Sequence, residues 1–178
     1  MHMDELKSQK VWLCWNYETR KGKRTKVPIS ASGTATGTNS EYAHTWVTYD
    51  EAIKVADKHG YNGVGFKIPQ GYFFLDIDHR ELTDPFVQLM LERFNSYAEY
   101  SVSGGGIHIY GKCTIDQVPT CLDKDGKLRL DKAFYMKNPH NGTELYCGGI
   151  TNRFAVYTGK PYLCQELLRH CRMSAGGR

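Results

Sequence analysis

The sequence has no apolar stretch long enough to cross a membrane and no apolar segment typical of a secretory signal. Its six cysteines form no C-x-x-C pair, so the usual ligand spacing of a zinc ribbon is missing. We therefore expect a cytoplasmic protein without membrane contact, whose cysteines stay reduced and mostly serve as small core residues. They are Cys14, Cys113, Cys121, Cys147, Cys164 and Cys171.

Internal repeats and a strong net charge are also absent, and 178 residues suit one domain with its own core. We predict an N-terminal extension over 1–10, a domain over 11–172 and a linker over 173–178 that would lead to a further domain. The net charge of +4 is unevenly spread. A basic loop is either solvated or contacts phosphates, and its cations are Arg20, Lys21, Lys23, Arg24 and Lys26.

An apolar, aromatic-rich run ends in Asp76-Ile77-Asp78, the most informative segment of the chain. Side chains alternate along a strand, so Asp76 and Asp78 should project from the same face. Two neighbouring carboxylates repel each other unless a cation lies between them, and Mg²⁺ and Mn²⁺ prefer such oxygen ligands. The alternative is a strand that runs out into a polar loop with both carboxylates solvated.

The apolar patterns predict an α+β fold with a mostly antiparallel sheet and helices on one face. Segments 63–68 and 72–77 flank Pro69-Gln70-Gly71 and are predicted to form a β-hairpin. One helix should begin at a Thr48–Glu51 capping box and end near Gly60, and another should begin at Pro85. Further segments are strands over 11–17, 27–29, 97–102, 107–112, 144–147 and 154–158, a polar excursion over 113–141, and a final helix over 161–171.

A glycine-rich turn leads from Ser103 through Gly104 to His108. Glycines let backbone N–H groups approach an anion, and His108 can donate to a phosphate oxygen. The alternative is an ordinary flexible hairpin with a surface histidine. Downstream, Glu144 opens a strand and could join Asp76 and Asp78 as a third carboxylate. Residues of this kind are more often surface cations than ligands, but the candidate triphosphate ligands are Lys26, Arg153 and Lys160.

Taken in order, these motifs resemble the primase–polymerase (prim-pol) domain of the archaeo-eukaryotic primase superfamily. They are most similar to the versions in replication proteins of phages, plasmids and integrative elements. The opening is similar too, with Trp12 to Trp15, Lys26-Val27-Pro28 and Trp46. The resemblance covers roughly 11–160. Each motif is short, and their order makes the match specific.

The resemblance implies an RRM-like, mostly antiparallel sheet with flanking helices, joined to a small second α/β unit. It implies that Asp76, Asp78 and Glu144 are catalytic residues that hold two Mg²⁺ or Mn²⁺ ions. Glu144 replaces an aspartate common elsewhere in the superfamily, which leaves the metal preference open. The residues implied to bind the incoming nucleotide are Ser103, Gly104, His108 (also catalytic), Arg153 and Lys26.

The implied activity is metal-dependent, template-directed nucleotidyl transfer by a DNA primase, a DNA polymerase or both. Its substrates would be dNTPs or NTPs, and its macromolecular partner single-stranded or primer–template DNA. We expect a monomer, with a helicase domain or partner in the full-length protein. The residues expected to contact DNA are Arg20, Lys21, Lys23 and Arg24.

Two other functional classes stay open. Phosphatases of the haloacid dehalogenase type also begin with an apolar strand and D-x-D, but Arg80 stands where they normally carry Thr or Val. A metal-dependent nuclease or phosphohydrolase is thus the competing enzyme. A non-catalytic module that binds single strands would leave three carboxylates facing phosphates unexplained. Tyr110 and Tyr146 share the proposed active face, where they stack on bases or, as we expect, pack within the sheet.

Overall fold

The computed structural model describes residues 3–131, 137–138 and 140–162. Their strands form two main sheets, mostly antiparallel, and a few helices pack around them, which confirms the α+β class. The helices are α1 (Asp4–Lys7), α2 (Tyr49–His59) and α3 (Pro85–Phe94), with short 3₁₀ helices at Ser40–Thr45 and Ile115–Gln117. No helix in these ranges is long and apolar enough to cross a membrane.

The four-stranded sheet has the order β11-β3-β1-β2, and its strands are β1 (Trp12–Arg20), β2 (Lys23–Ile29), β3 (Gly63–Lys67) and β11 (Phe154–Tyr157). A tight turn joins β1 to β2, with Lys21 and Gly22 at φ 51° and 74°, as a two-residue hairpin turn requires. Helix α2 packs on this sheet through Ala52 and Ala56. The predicted capping box and the ending at Gly60 are confirmed.

The five-stranded sheet has the order β5-β6-β4-β10-β9, and its strands are β4 (Tyr72–Asp78), β5 (Ala98–Tyr100), β6 (Gly106–Lys112), β9 (Lys137–Asn138) and β10 (Thr143–Cys147). One face of β4 sends Phe73, Leu75 and Ile77 into a core covered by α3. The other face sends Tyr72 and Phe74 toward a core shared with the four-stranded sheet. Because side chains alternate between the two faces of a strand, β4 contributes residues to both hydrophobic cores.

The predicted hairpin between 63–68 and 72–77 is wrong, because β3 and β4 belong to different sheets. Strand β4 pairs along its whole length with β6 and on its other side with β10, which leaves no free edge for β3. The chain instead crosses between the sheets at buried Ile68 and Pro69, where Gln70 bridges to Gly148. Strands β10 and β11 likewise separate into different sheets after the Gly148-Gly149 turn.

Three other predicted segments have different outcomes. The polar excursion contains a small two-stranded sheet of β7 (Thr120–Leu122) and β8 (Leu128–Leu130), whose Leu128 and Leu130 pack against the α3-side core. The glycine turn does join the predicted strands around 97–102 and 107–112 as the antiparallel pair β5–β6. The predicted final helix over 161–171 falls almost wholly outside the described residues.

Substituting Gly148 with alanine tests the crossing between the sheets. A Cβ at Gly148 would lie 1.8 Å from the Pro69 carbonyl oxygen, so backbone must move. We expect Gly148→Ala to lower the free energy of unfolding by roughly 1–3 kcal/mol, measured from urea denaturation. The matched control is Gly105→Ala, whose added Cβ would meet nothing closer than the Ser103 Oγ at 3.8 Å. Equal unfolding midpoints for the two variants would contradict the crossing.

Candidate active site

A row of ionisable side chains crosses the five-stranded sheet, one from each strand. The register pairs Glu99 with His108, His108 with Asp76, Asp76 with Glu144, and Glu144 with Lys137. Directly opposed residues in antiparallel strands share a face, so all of these side chains lie on one side of the sheet. We call this set the charged row.

Asp76 stands at the centre of the charged row and lacks a compensating hydrogen bond. Its Oδ1 is buried and accepts no hydrogen bond from any described residue, and the His108 Nε2 lies 3.7 Å from it. Burial raises the pKa of the Asp76 carboxyl to about 6, against the partly opposing effect of His108. The charges of Asp78 and Glu144 raise this pKa further, and Lys26 lowers it. Asp78 is the next residue on the same face of β4, and Glu144 lies directly opposite Asp76 in the register.

His108 is held between two carboxylates. It is only 2% exposed, and its Nδ1 lies 3.3 Å from the Glu99 Oε1. Sequence reasoning missed Glu99, although an acidic residue inside the apolar strand segment Ala98–Tyr100 is an unusual signal. It also placed His108 at a surface turn in the alternative interpretation, which the burial of the ring contradicts.

Glu144 already has cationic and hydroxyl partners. Its carboxylate pairs with the Lys137 Nζ and accepts a hydrogen bond from the Tyr146 Oη. Burial raises the pKa of Glu144, but the hydrogen bonds from Lys137 and Tyr146 outweigh it and the net pKa is lowered. Lys137 is the second member of the charged row that sequence reasoning missed, since it lies in the polar excursion.

The carboxylates suit a divalent cation, but they do not form a closed cage. No group of three or more His, Cys, Asp or Glu side chains in the described part of the chain is arranged to hold a metal ion. The fit rests on the orphaned Oδ1 of Asp76 and on exposed Asp78 at the next position on the same face. Glu144 can join them only by exchanging Lys137 for the metal.

The glycine loop, residues 103–106, lies against the end of β4. Gly106 pairs with Asp78, and a Cβ on Gly106 would lie 2.6 Å from the Ile77 carbonyl oxygen and 2.9 Å from the Asp78 Oδ1. Ser103 and Gly104 are exposed at the tip, where Gly104 has φ 77°. The structure therefore brings the predicted phosphate-contacting turn beside Asp78.

Two of the predicted triphosphate cations lie near the charged row. Lys26 of β2 lies near Asp76 and has its Nζ 5.9 Å from the centroid of the Trp15 ring. Arg153 precedes β11, lies 6.0 Å from the Tyr146 ring and contributes to the lowered pKa of Glu144. Lys160 is exposed after β11, where its carbonyl accepts from the Tyr100 amide.

The predicted DNA-contacting cations form a separate exposed surface. We define the basic hairpin as the β1–β2 tip with Arg20, Lys21, Lys23 and Arg24, all exposed. The Arg24 guanidinium stacks over the Tyr17 ring at 3.6 Å, and Arg20 pairs with Glu18. This surface lies on the same strand pair that carries Lys26.

Tyr110 and Tyr146 pack within the sheet, as expected. They are 1% and 6% exposed, and they stack on either side of Phe74 with ring centroids 5.1 and 6.1 Å away. Their rings are therefore not available to bases. Open space lies instead beyond Asp78, where a cleft of about 670 Å³ is lined by His79, Arg80 and neighbouring residues.

No protein-family model matches this chain. A segment of 105 residues is 27% identical to the "DNA Primase-polymerase" of Nitratiruptor phage NrS-1. The match covers 55% of this chain and 14% of the phage protein, so the chain spans a small fraction of that protein's length. The similarity supports a prim-pol-like relationship.

The raised pKa of Asp76 predicts how stability depends on pH without metal. Because the folded pKa of about 6 exceeds the ordinary 3.8, the ionised carboxylate opposes folding. Its penalty is absent below about pH 4, grows as the pH rises and is complete above about pH 6. Asp76→Asn should therefore stabilise the metal-free protein near pH 7.5 by at most about 3 kcal/mol, and much less near pH 4.

Thermal unfolding in EDTA at the two pH values measures this difference. Asp57→Asn, at an exposed position of α2, is the matched control and should change little at either pH. A stabilisation by Asp76→Asn that does not grow between pH 4 and 7.5 would contradict a raised Asp76 pKa.

Proposed function

We propose that this chain is a metal-dependent, template-directed nucleotidyltransferase of the archaeo-eukaryotic primase superfamily. It would act as a DNA primase, a DNA polymerase or both in the replication of a phage, plasmid or integrative element. The observation that carries the proposal is the charged row, in which orphaned Asp76 lies between His108 and Glu144. The similarity to a phage DNA primase-polymerase supports the same conclusion.

The fold supports this assignment in two parts. The five-stranded sheet with α3 on one face would be the RRM-like unit of a primase core. The four-stranded sheet with α2 would be the second, smaller α/β unit, which contributes Lys26 and Arg153. The charged row then lies where the two units meet.

The carboxylates would define the reacting centre. Asp76 and Asp78 would hold Mg²⁺ or Mn²⁺, and Glu144 would join them after releasing Lys137. A bound metal pair supplies activation of a primer 3′-hydroxyl and stabilisation of the leaving pyrophosphate. Asp76 is mostly buried in the central strand of the sheet, and its Oδ1, which has no hydrogen-bond partner among the described residues, would be available to the cation.

The remaining residues would bind the substrates. The exposed tip of the glycine loop would contact the triphosphate of a dNTP or NTP. His108 is only 2% exposed and would reach the triphosphate through a single donor, its Nε2–H on the side of Asp76. Arg153 and Lys26 would add charge-assisted contacts to its phosphates. The basic hairpin would hold single-stranded or primer–template DNA through phosphates, without reading its sequence.

Removing one metal ligand tests the enzyme. Wild type should incorporate dNTPs or NTPs on a template, with or without a primer, only when Mg²⁺ or Mn²⁺ is present. Asp76→Ala should lower the incorporation rate by about 100-fold or more, because the metal loses an anchoring ligand.

Asp57→Ala, which removes an exposed carboxylate from α2, serves as the control for this loss of charge. Equal incorporation by wild type and Asp76→Ala would refute the site. Release of mononucleotides from labelled DNA without added nucleotides would favour a nuclease. Single-strand binding without calorimetric metal affinity would favour a non-catalytic module.

The basic hairpin makes an independent prediction about DNA binding. Replacing Lys23 and Arg24 with alanine should weaken single-strand binding equally for unrelated sequences. The slope of log affinity against log salt should become shallower by about 1 for each phosphate that the variant no longer neutralises. The control is Lys54→Ala with Lys58→Ala, which removes the same charge from exposed positions of α2. If both double variants weaken DNA binding equally, the effect comes from the net charge of the protein and not from the basic hairpin.

A further inference from the structure

Glu99 is a fully buried carboxylate whose neighbours include two backbone amides, which can only donate. It is 0% exposed in β5, where a charge is tolerated only with compensating hydrogen bonds. The contacts are the Thr158 amide at 2.8 Å, the Gly159 amide at 3.0 Å, the Tyr110 Oη at 2.8 Å, the Tyr97 Oη at 3.2 Å and the His108 Nδ1 at 3.3 Å. A carboxylate is the acceptor-only group that this environment requires.

The tyrosines cannot substitute for Glu99 as the anion. Burial, followed by the charge of Glu99, raises the pKa of Tyr110 well above its ordinary value, so its hydroxyl keeps the proton. Burial also raises the pKa of Tyr97. Both hydroxyls therefore stay neutral. Glu99 accepts from the amides of Thr158 and Gly159, and it shares the single Tyr110 hydroxyl proton with the Val156 carbonyl oxygen.

Glu99 determines which ring nitrogen of His108 faces the site. An ionised carboxylate accepts but does not donate, so a hydrogen bond to Glu99 requires a proton on Nδ1. With Nδ1 turned toward β5, the Nε2 is directed to Asp76 and lies 3.7 Å from its Oδ1. A histidine that acts through one nitrogen is commonly oriented by a carboxylate on the other.

We propose that Glu99 is a positioning residue that fixes the His108 ring, with Nδ1–H turned inward and Nε2–H turned toward the side of Asp76, where it can donate to a phosphate oxygen of the incoming nucleotide. The inference rests on the proposed function, which assigns the nucleotide to this face. The same carboxylate binds the amides of Thr158 and Gly159 directly after β11. Glu99 thereby fixes His108 relative to the strand that Arg153 precedes.

The state of the His108 ring is measured directly by nitrogen-15 NMR of imidazole-labelled wild-type protein, without nucleotide or metal. We expect a proton on Nδ1. A bare Nδ1 would overturn the proposal, because the ring would then accept from the Tyr110 hydroxyl, which also lies 3.3 Å away. This measurement does not depend on any variant folding.

Nucleotide binding tests the consequence for function. Equilibrium dissociation constants of a non-hydrolysable nucleoside triphosphate, with Mn²⁺ present, are compared for wild type, Glu99→Gln, His108→Gln and the double variant. Glu99→Gln should weaken binding by about 10-fold or more, as loss of an orienting carboxylate typically does. In the His108→Gln background, the Glu99→Gln substitution should add almost nothing, because both act through the same ring.

Tyr97→Phe is the matched control, since it removes one hydrogen bond to Glu99 without touching His108. It should leave the dissociation constant unchanged even where it lowers the melting temperature. If Glu99→Gln binds like wild type, or if its effect multiplies with that of His108→Gln, Glu99 is only structural and the proposal fails. If wild type itself binds no nucleotide, the proposed function fails first and takes this inference with it.

Discussion

Ionisable groups inside an apolar sheet must find partners on neighbouring strands, because the free energy of burying an isolated charge is prohibitive. In this protein the partners come from the charged row and from the groups packed around it. Glu99 is satisfied by hydroxyl and amide donors, His108 lies between two carboxylates, and Lys137 compensates Glu144. Only Asp76 keeps a buried oxygen without a hydrogen bond among the described residues. His108 and Glu144 lie on either side of the residue that carries this unsatisfied oxygen.

The packing of the two sheets depends on the same row. The Tyr110 hydroxyl reaches both Glu99 and the carbonyl of Val156 in β11, at 2.8 and 2.6 Å. The amides that follow β11 bind Glu99 as well. Hydrogen bonds from the four-stranded sheet therefore end on a residue of the charged row. The contact that joins the sheets also orients His108, so the fold and the site cannot be separated at this point.

Much of this arrangement could be predicted from local sequence. Alternation along β4 was enough to place Asp76 and Asp78 on one face, and the Thr48–Glu51 box was enough to start α2. Pairing between strands was not predictable, because the sequence of an apolar strand does not specify which other strands it will pair with. The false hairpin between β3 and β4 has this cause. Glu99 and Lys137 were missed for the same reason, since their roles exist only through the register with His108 and Glu144.

The charged row also explains why a site of this kind is not optimised for stability. Burial of its charge raises the pKa of Asp76, and a polar, uncharged residue at position 76 would avoid the free-energy cost of burying that charge. The chain instead keeps a carboxylate there, with Asp78 next to it and Glu144 opposite. Lys137 pairs with Glu144, and the other neighbour of Asp76 in the charged row is His108, which is held by Glu99. Such an arrangement is unfavourable for the protein alone. It would become favourable if, as we propose, a cation and a polyanion bind together, because each would compensate charges that the other leaves unpaired.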